Sequence, residues 1–238
     1  MSRYPGAEAT ARLGWWRAHR FLLLRRLCQF GVLGLFLLGP LAGIWILKGN
    51  LSSSLLLEKV PLTDPLTLLQ SVAAGQWPIP TLWLGAGLVL AGYWLVGGRV
   101  FCSWVCPVNL VTDAAAWLRG RLGLKGNGQF NRATRYWLLA MVLVAPAITG
   151  VLVWELVNPV SLTLRGLLFG MGAGWGLLAV LFLFDLFVVE RGWCGHLCPV
   201  GAFYALVNRV GFIKIAASGR ERCSNCMDCY AVCPERPI

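Results

Sequence analysis

Four apolar runs, at about Leu27–Leu47, Thr81–Gly97, Tyr136–Val157 and Leu167–Val189, limit what this chain can fold into more than any other feature. A helix of about 20 apolar residues crosses the hydrocarbon of a bilayer. In that medium every backbone N–H and C=O has to find its partner inside the protein, which a helix does unaided. Composition supports that setting, because 58% of the 238 residues are apolar and only 13% are charged, too apolar a balance for a water-soluble domain. The expected fold is an all-α polytopic membrane protein with four transmembrane helices. Most of the Trp residues, including Trp15, Trp45, Trp77, Trp137 and Trp154, fall near the ends of the runs, where an interfacial belt places its indoles.

The net charge is +11, and its distribution is uneven. Six Lys or Arg precede the first run, six lie between the second and third, and six follow the fourth, whereas the two remaining segments hold only Lys48, Lys59 and Arg165. Lys and Arg collect on the cytoplasmic side of membrane proteins. Both termini and all the cysteine motifs are therefore expected on the cytoplasmic face of a bacterial inner membrane. Residues 48–80 are expected in an outside loop, with a short amphipathic turn around Leu62–Leu69. Nucleic-acid binding is excluded, since no basic face is left clear of the membrane. Arg25-Arg26 ahead of an apolar run also fits a twin-arginine export signal, but three more runs follow and the first is longer than a signal core.

Cys223, Cys226, Cys229 and Cys233, followed by Pro234, have the C-x2-C-x2-C-x3-C-P spacing that wraps thiolates around a [4Fe-4S] cluster. Three of these sulfurs serve one cluster, while the fourth reaches a second cluster in two-cluster ferredoxins. No second set follows here. Either Cys233 closes the same cluster, or a partner or residues beyond Ile238 supply the other site, and a shortened chain is expected. A tetrathiolate zinc site and a disulfide pair are the alternatives. The nine cysteines show no extracellular disulfide pattern, which favours ligation in a reducing compartment. The expected organisation is a basic N-terminus (1–26), a four-helix membrane domain (27–199), an interfacial helix or linker (200–222) and a small ferredoxin-like iron–sulfur segment (223–238). Phe203, Leu206, Val207 and Val210 give the linker an apolar stripe at helical spacing.

The halves of the chain repeat one another. Pro40 lies fourteen residues after Arg26, and Pro146 fourteen after Arg132; Asp64-Pro65-Leu66-Thr67-Leu68 matches Asn158-Pro159-Val160-Ser161-Leu162. Arg99-Val-Phe-Cys102-x3-Cys106-Pro107-Val108 then matches Arg191-Gly-Trp-Cys194-x3-Cys198-Pro199-Val200. This order predicts a duplicated two-helix unit, its copies related by an axis along the membrane normal. Residues four apart in a helical turn share a face, so the symmetry would bring Cys102, Cys106, Cys194 and Cys198 to one level at the cytoplasmic edge. Such a quartet suits a second iron–sulfur cluster or another soft metal. Redox-active thiols and small packing residues are the other two readings.

Ionisable groups inside apolar runs are costly and mark candidate function. Asp185 lies nine residues before Cys194, and Tyr93 nine before Cys102. An electron-donating quinol needs a proton acceptor and a hydrogen-bond partner, and Asp185 with Tyr93 is the candidate catalytic pair. The plainer alternative pairs Asp185 with a rim arginine and leaves Tyr93 among headgroups. Glu155 and Glu190 read as paired or solvated at run ends, His196 as a rim histidine, ligand or proton relay, and Cys28 as a small buried apolar residue.

Taken together, the four runs, the segment Val60-Pro-Leu-Thr-Asp-Pro-Leu-Thr-Leu-Leu-Gln70, both C-x3-C-P motifs and Cys223 to Pro234 resemble the NapH/MauN family of membrane-bound ferredoxin-type proteins. The resemblance covers most of the chain from about residue 20. It implies a quinol dehydrogenase component: a polyferredoxin that takes electrons from quinol and, with a NapG-type iron–sulfur partner, passes them towards a periplasmic cytochrome or reductase such as nitrate reductase. The family usually carries two C-x2-C-x2-C-x3-C-P sets, and this chain carries one. Two readings from other classes use the same residues: a metal or iron–sulfur biogenesis or redox-sensing membrane factor, and a passive membrane anchor.

Overall fold

The structure, a computed structural model, describes residues 11, 14–124, 131, 133–170 and 172–213; Cys223, Cys226, Cys229 and Cys233 lie outside them. Two stretches of chain run through a similar order of helices, with three strands in the first where the second has one short extra helix. In the first, α1 (Trp15–Ala42) leads through strands β1 (Leu47–Gly49), β2 (Ser53–Leu56) and β3 (Val60–Thr63) to α2 (Pro65–Ala73) and α3 (Pro80–Val96). A π-helical turn (Phe101–Val105) and α4 (Val108–Leu122) complete it. In the second, α5 (Thr134–Thr149) leads through α6 (Val153–Val157) to α7 (Pro159–Phe169), α8 (Gly172–Phe187), a second π-helical turn (Trp193–Leu197) and α9 (Pro199–Arg209).

The three strands correct the all-α expectation. They form an antiparallel sheet in the order β1-β2-β3, with Leu47 opposite Leu56 and Ser53 opposite Thr63. Asn50 makes the first turn, its Oδ1 accepting from the backbone N–H of Ser52 and Ser53 at 3.0 and 2.8 Å. Leu57 and Glu58 make the second with φ of 51° and 58°. Two left-handed residues in a row match the twist of a hairpin, although Asn and Gly usually occupy them.

Helix ends also differ from the apolar runs. The third run breaks at Gly150 and the fourth at Gly170, with φ of 69° and 66°. A left-handed residue ends a helix, and glycine adopts it without a Cβ penalty. Among the described helices, α1 alone is long and apolar enough to cross a membrane by those two measures. The 17 residues of α3 and the 16 each of α5 and α8 reach about 24–26 Å at 1.5 Å per residue.

Residues 48–80 do not stay clear of the helices. Pro61 and Thr63 lie so close to Gly85 of α3 that a Cβ there would meet Thr63 Oγ1 at 2.8 Å and Pro61 O at 3.1 Å. At the end of β3, Asp64 reaches α9, where the Tyr204 hydroxyl donates to its Oδ1 over 3.4 Å. The sheet and the start of α2 are thus folded back into the bundle, and α7 does the same in the second stretch, with Ser161 Oγ 2.9 Å from Ser52 Oγ. The face of α9 that packs inward carries Val200, Tyr204 and Ala205, while Leu206 and Val210 of the expected stripe are exposed.

Polar groups tie the helices together at the other end. Asp113 of α4 accepts from Arg25 and Arg26 of α1 and pairs with Arg191 at 2.9 Å. Gln29, fully buried, donates through Nε2 to the carbonyls of Ser103 and Cys106, both at 3.3 Å. Arg119 donates to the carbonyls of Asp185 and Leu186 at 3.0 and 3.1 Å, closing the C-terminal end of α8. Meanwhile Trp137, Met141, Val144 and Ile148 leave an apolar stripe of α5 exposed. Buried charged and amide groups beside an exposed apolar stripe depart from the usual arrangement of a water-soluble domain.

Close backbone approach gives a test of this packing. A Cβ on Gly98 would lie 2.4 Å from Tyr204 O and 3.1 Å from Asn208 N, whereas one on Gly87 would meet nothing within 4 Å. Gly98→Ala should lower the thermal unfolding midpoint of the purified protein, at a cost of about 1–3 kcal/mol. Gly87→Ala, in mid-helix, should leave it unchanged or raise it.

Candidate functional site

Four helices begin in the interior, each with a proline at its start: Pro65 for α2, Pro107 for α4, Pro159 for α7 and Pro199 for α9. The first N–H groups of a helix have no intrahelical partner. Proline at the first position removes one of them and fixes a helical φ. Side chains take others. Asp64 Oδ1 accepts from Leu66 N at 3.4 Å, Asn158 Oδ1 from Val160 N at 3.1 Å, and Cys198 Sγ from Gly201 N at 3.4 Å. At α4 the same role falls to Cys106, whose sulfur is approached by the N–H groups of Val108 and Asn109.

These helix starts lie together. Leu66 shares a core cluster with Val200 and Tyr204, and Val108 shares one with Val160. Asp64, Asn158, Val160 and Val200 line a single cavity. Each helix start carries a partial positive charge, so their meeting point favours negative charge held by buried groups.

The C-x3-C segments lead into two of those starts through π-helical turns, closed by Cys106 N to Phe101 O and Cys198 N to Trp193 O, each 2.9 Å. Single π-turns recur at functional sites. Cys194 Sγ lies 3.8 Å from Thr112 Oγ1. Burial pushes the Cys106 thiol up to about 12, and the nearby Cys198 thiol adds to the shift. Cys194 is raised for the same first reason, with Cys198 and Cys106 both contributing. Cys106, Cys194 and Cys198 are thus within electrostatic reach of one another, while Cys102 exerts its influence on Tyr93 and Tyr204. Among the described residues no three His, Cys, Asp or Glu side chains are gathered tightly enough to hold one metal ion. Thiols at helix starts, unable to ionise together unaided, fit a group that brings its own positive iron and spreads its ligands, as a cluster does.

The proposed catalytic pair is not brought together around one cavity. Asp185 is fully buried at the end of α8, where its Oδ1 accepts from Trp193 N at 3.0 Å and so holds the start of the second π-turn. Tyr93 lines the cavity that holds Asp64, with its ring 5.1 Å from that of Tyr204 and 6.0 Å from that of Phe101. Each lies nine residues before a different C-x3-C segment, Asp185 before Cys194 and Tyr93 before Cys102.

The remaining candidates fall into place around this centre. Glu155 accepts from Ser52 Oγ at 3.1 Å and from Asn158 Nδ2 at 3.3 Å and pairs with Arg165 at 3.6 Å. His196 is buried within the second π-turn, Glu190 is exposed, and Cys28 is half-buried. Three residues with a part in the site drew no attention in the sequence: Asp64 as a buried carboxyl, Tyr204 and Asp113. Burial pushes Asp64 up to about 6, against hydrogen bonds from Leu66 and Thr67 that act to lower it. The sequence signal for Asp64 was its match with Asn158 in the repeat.

Asp113→Asn would leave three guanidiniums around a neutral amide. The expected loss is on the order of 3–5 kcal/mol, read as a fall in the denaturation midpoint. Breaking the exposed pair of Lys48 and Glu58 by Glu58→Gln should change that midpoint by less than about 1 kcal/mol.

Comparison with known proteins bears on the same segments. The family described as "4Fe-4S binding domain" matches residues 79–125 and 168–216, each containing one C-x3-C-P turn. The ferredoxin-type protein NapH of Escherichia coli is 55% identical over 98% of this chain and 81% of its own length. The methylamine utilization ferredoxin-type protein MauN of Paracoccus denitrificans is 53% identical over 96% of this chain and 81% of its own. NapH of Haemophilus influenzae is 48% identical over 99% and 82%. No solved structure matches. With a twice-matched 4Fe-4S binding domain and relatives this similar over nearly its whole length, the chain belongs to the NapH/MauN family of ferredoxin-type proteins.

Proposed function

We propose that this protein is an electron-transfer subunit of the bacterial inner membrane that takes electrons from quinol and relays them, through iron–sulfur clusters, towards a periplasmic reductase such as nitrate reductase. Its four spans, α1, α3, α5 and α8, form a duplicated two-helix unit with both termini in the cytoplasm. What supports the spans is the exposed apolar stripe of α5, the buried polar centre and the asymmetric Lys and Arg count. The shorter helices reach across a locally thinned bilayer, aided by α2 and α7 folding back between them.

The observation that carries the proposal is the meeting of four proline-led helix starts at the two C-x3-C turns. Cys102, Cys106, Cys194 and Cys198 would hold one cluster there, and Cys223, Cys226, Cys229 and Cys233 another. When bound, the clusters supply one-electron chemistry. The chain's own part is positional: Gln29 holds the first turn through two carbonyls, Asp185 holds the second through Trp193 N, and Asp113 gathers Arg25, Arg26 and Arg191 beside both. A NapG-type iron–sulfur protein and a periplasmic cytochrome are the partners that the family resemblance favours.

Reduction by quinol tests the reading. Protein purified without oxygen, in lipid nanodiscs, should lose part of its visible sulfur-to-iron absorbance on addition of a short-tail quinol. An unchanged spectrum, with and without the iron–sulfur partner, would favour a biogenesis or sensing role.

A further inference from the structure

The cavity at the helix starts has a volume of about 170 Å³. An apolar cavity of roughly 150 Å³ takes a benzene ring, so this one has room for a single substituted six-membered ring. Its walls include Phe36, Leu62, Val89, Val105 and Val200, and its polar edge is made by Asp64, Thr63, Ser52, Asn158, Tyr93 and Tyr204. Two of its residues, Phe101 and Val105, are the ends of the first π-turn and flank Cys102. Thr63 is 4% exposed, and its hydroxyl is buried with no hydrogen-bond partner among the described residues. A buried hydroxyl left unmatched is costly, and a ligand with a donor or acceptor at that edge would satisfy it.

Resting on the quinol reading above, we propose that this cavity is the head-group site for quinol, a 1,4-dihydroxy aromatic ring, and that Asp64 accepts the hydrogen bond of one ring hydroxyl. Tyr93, Phe101 and Tyr204 pack on one another with centroids 5.1–6.0 Å apart, and the quinol ring packs against the cavity-facing side of that aromatic group. Asp64 is held for this role on both sides, by the Thr67 hydroxyl at 3.1 Å on its Oδ2 and the Tyr204 hydroxyl at 3.4 Å on its Oδ1. The cavity also has a polar connection outward: Ser52 Oγ, on its wall, donates to Glu155, which pairs with the partly exposed Arg165. Asp185 does not line the cavity and is a positioning residue for the second turn.

The test is binding, read apart from turnover, on the full chain in nanodiscs. Short-tail benzoquinol and short-tail naphthoquinol, kept reduced under anaerobic conditions, are titrated against tryptophan fluorescence, and each is then tried against the sulfur-to-iron absorbance. Asp64→Asn keeps a side chain that caps α2 equally well, and should weaken binding about tenfold or more, the worth of a charge-assisted hydrogen bond. Val89→Phe should abolish binding by filling the space, and Tyr204→Phe should weaken it less. Unchanged thermal midpoint and visible spectrum show that each variant is folded. If the folded variants bind both quinols as tightly as wild type, the cavity assignment is overturned, even while quinol still bleaches the wild-type clusters. If binding is lost in the variants but quinol never bleaches wild type, the site stands and the electron-transfer reading fails. If wild type binds neither quinol, the assignment is overturned.

Discussion

Burying the start of a helix leaves N–H groups without partners and a positive dipole end without water, and this chain does so four times at nearly one place. That constraint explains the residues found there. Pro65, Pro107, Pro159 and Pro199 reduce the number of unmatched donors, and Asp64, Asn158, Cys106 and Cys198 accept from those that remain. A cluster of positive helix ends in a low-dielectric interior then needs negative charge. In the proposed reading, sulfur ligands around iron would supply it in one half of the site; a carboxyl, Asp64, lines the other.

The interior polar groups follow from the same arrangement. The π-turns have carbonyls and N–H groups exposed to the bundle, and Gln29 and Asp185 meet them from other helices, while Arg119 meets the last carbonyls of α8. Asp113 of α4 binds Arg25 and Arg26 of α1 and Arg191 just before the second turn, so three segments far apart in the chain are fixed to each other through one carboxylate. Replacing any of these by an apolar residue removes a partner from a group that stays buried.

Much of this was legible in the sequence, for identifiable reasons. The repeat showed because Asp64-Pro65 and Asn158-Pro159, and the two Cys-x3-Cys-Pro segments, do the same local work in each copy. The sheet did not show, because Leu57-Glu58 carries none of the Asn-Gly chemistry that marks a tight hairpin. Hydropathy also merged α5 with α6 and α7 with α8, since an apolar half-helix folded back into a bundle reads like part of a span; Gly150 and Gly170 were the breaks. Tyr204 and Asp64 lie 140 residues apart, and no local pattern ties them. Pairing Asp185 with Tyr93 followed sequence spacing, but Asp185 is taken up by Trp193 N while Tyr93 lines the cavity beside Asp64.

Iron in a protein stripped of its C-terminal motif tests the central idea most directly. With Cys223, Cys226, Cys229 and Cys233 all changed to Ser, X-ray absorption on oxygen-protected material should still find iron surrounded by sulfur, held by the cysteines of the two π-turns. Absence of iron from that variant, with the fold intact, would contradict a cluster at the meeting point of the four helix starts.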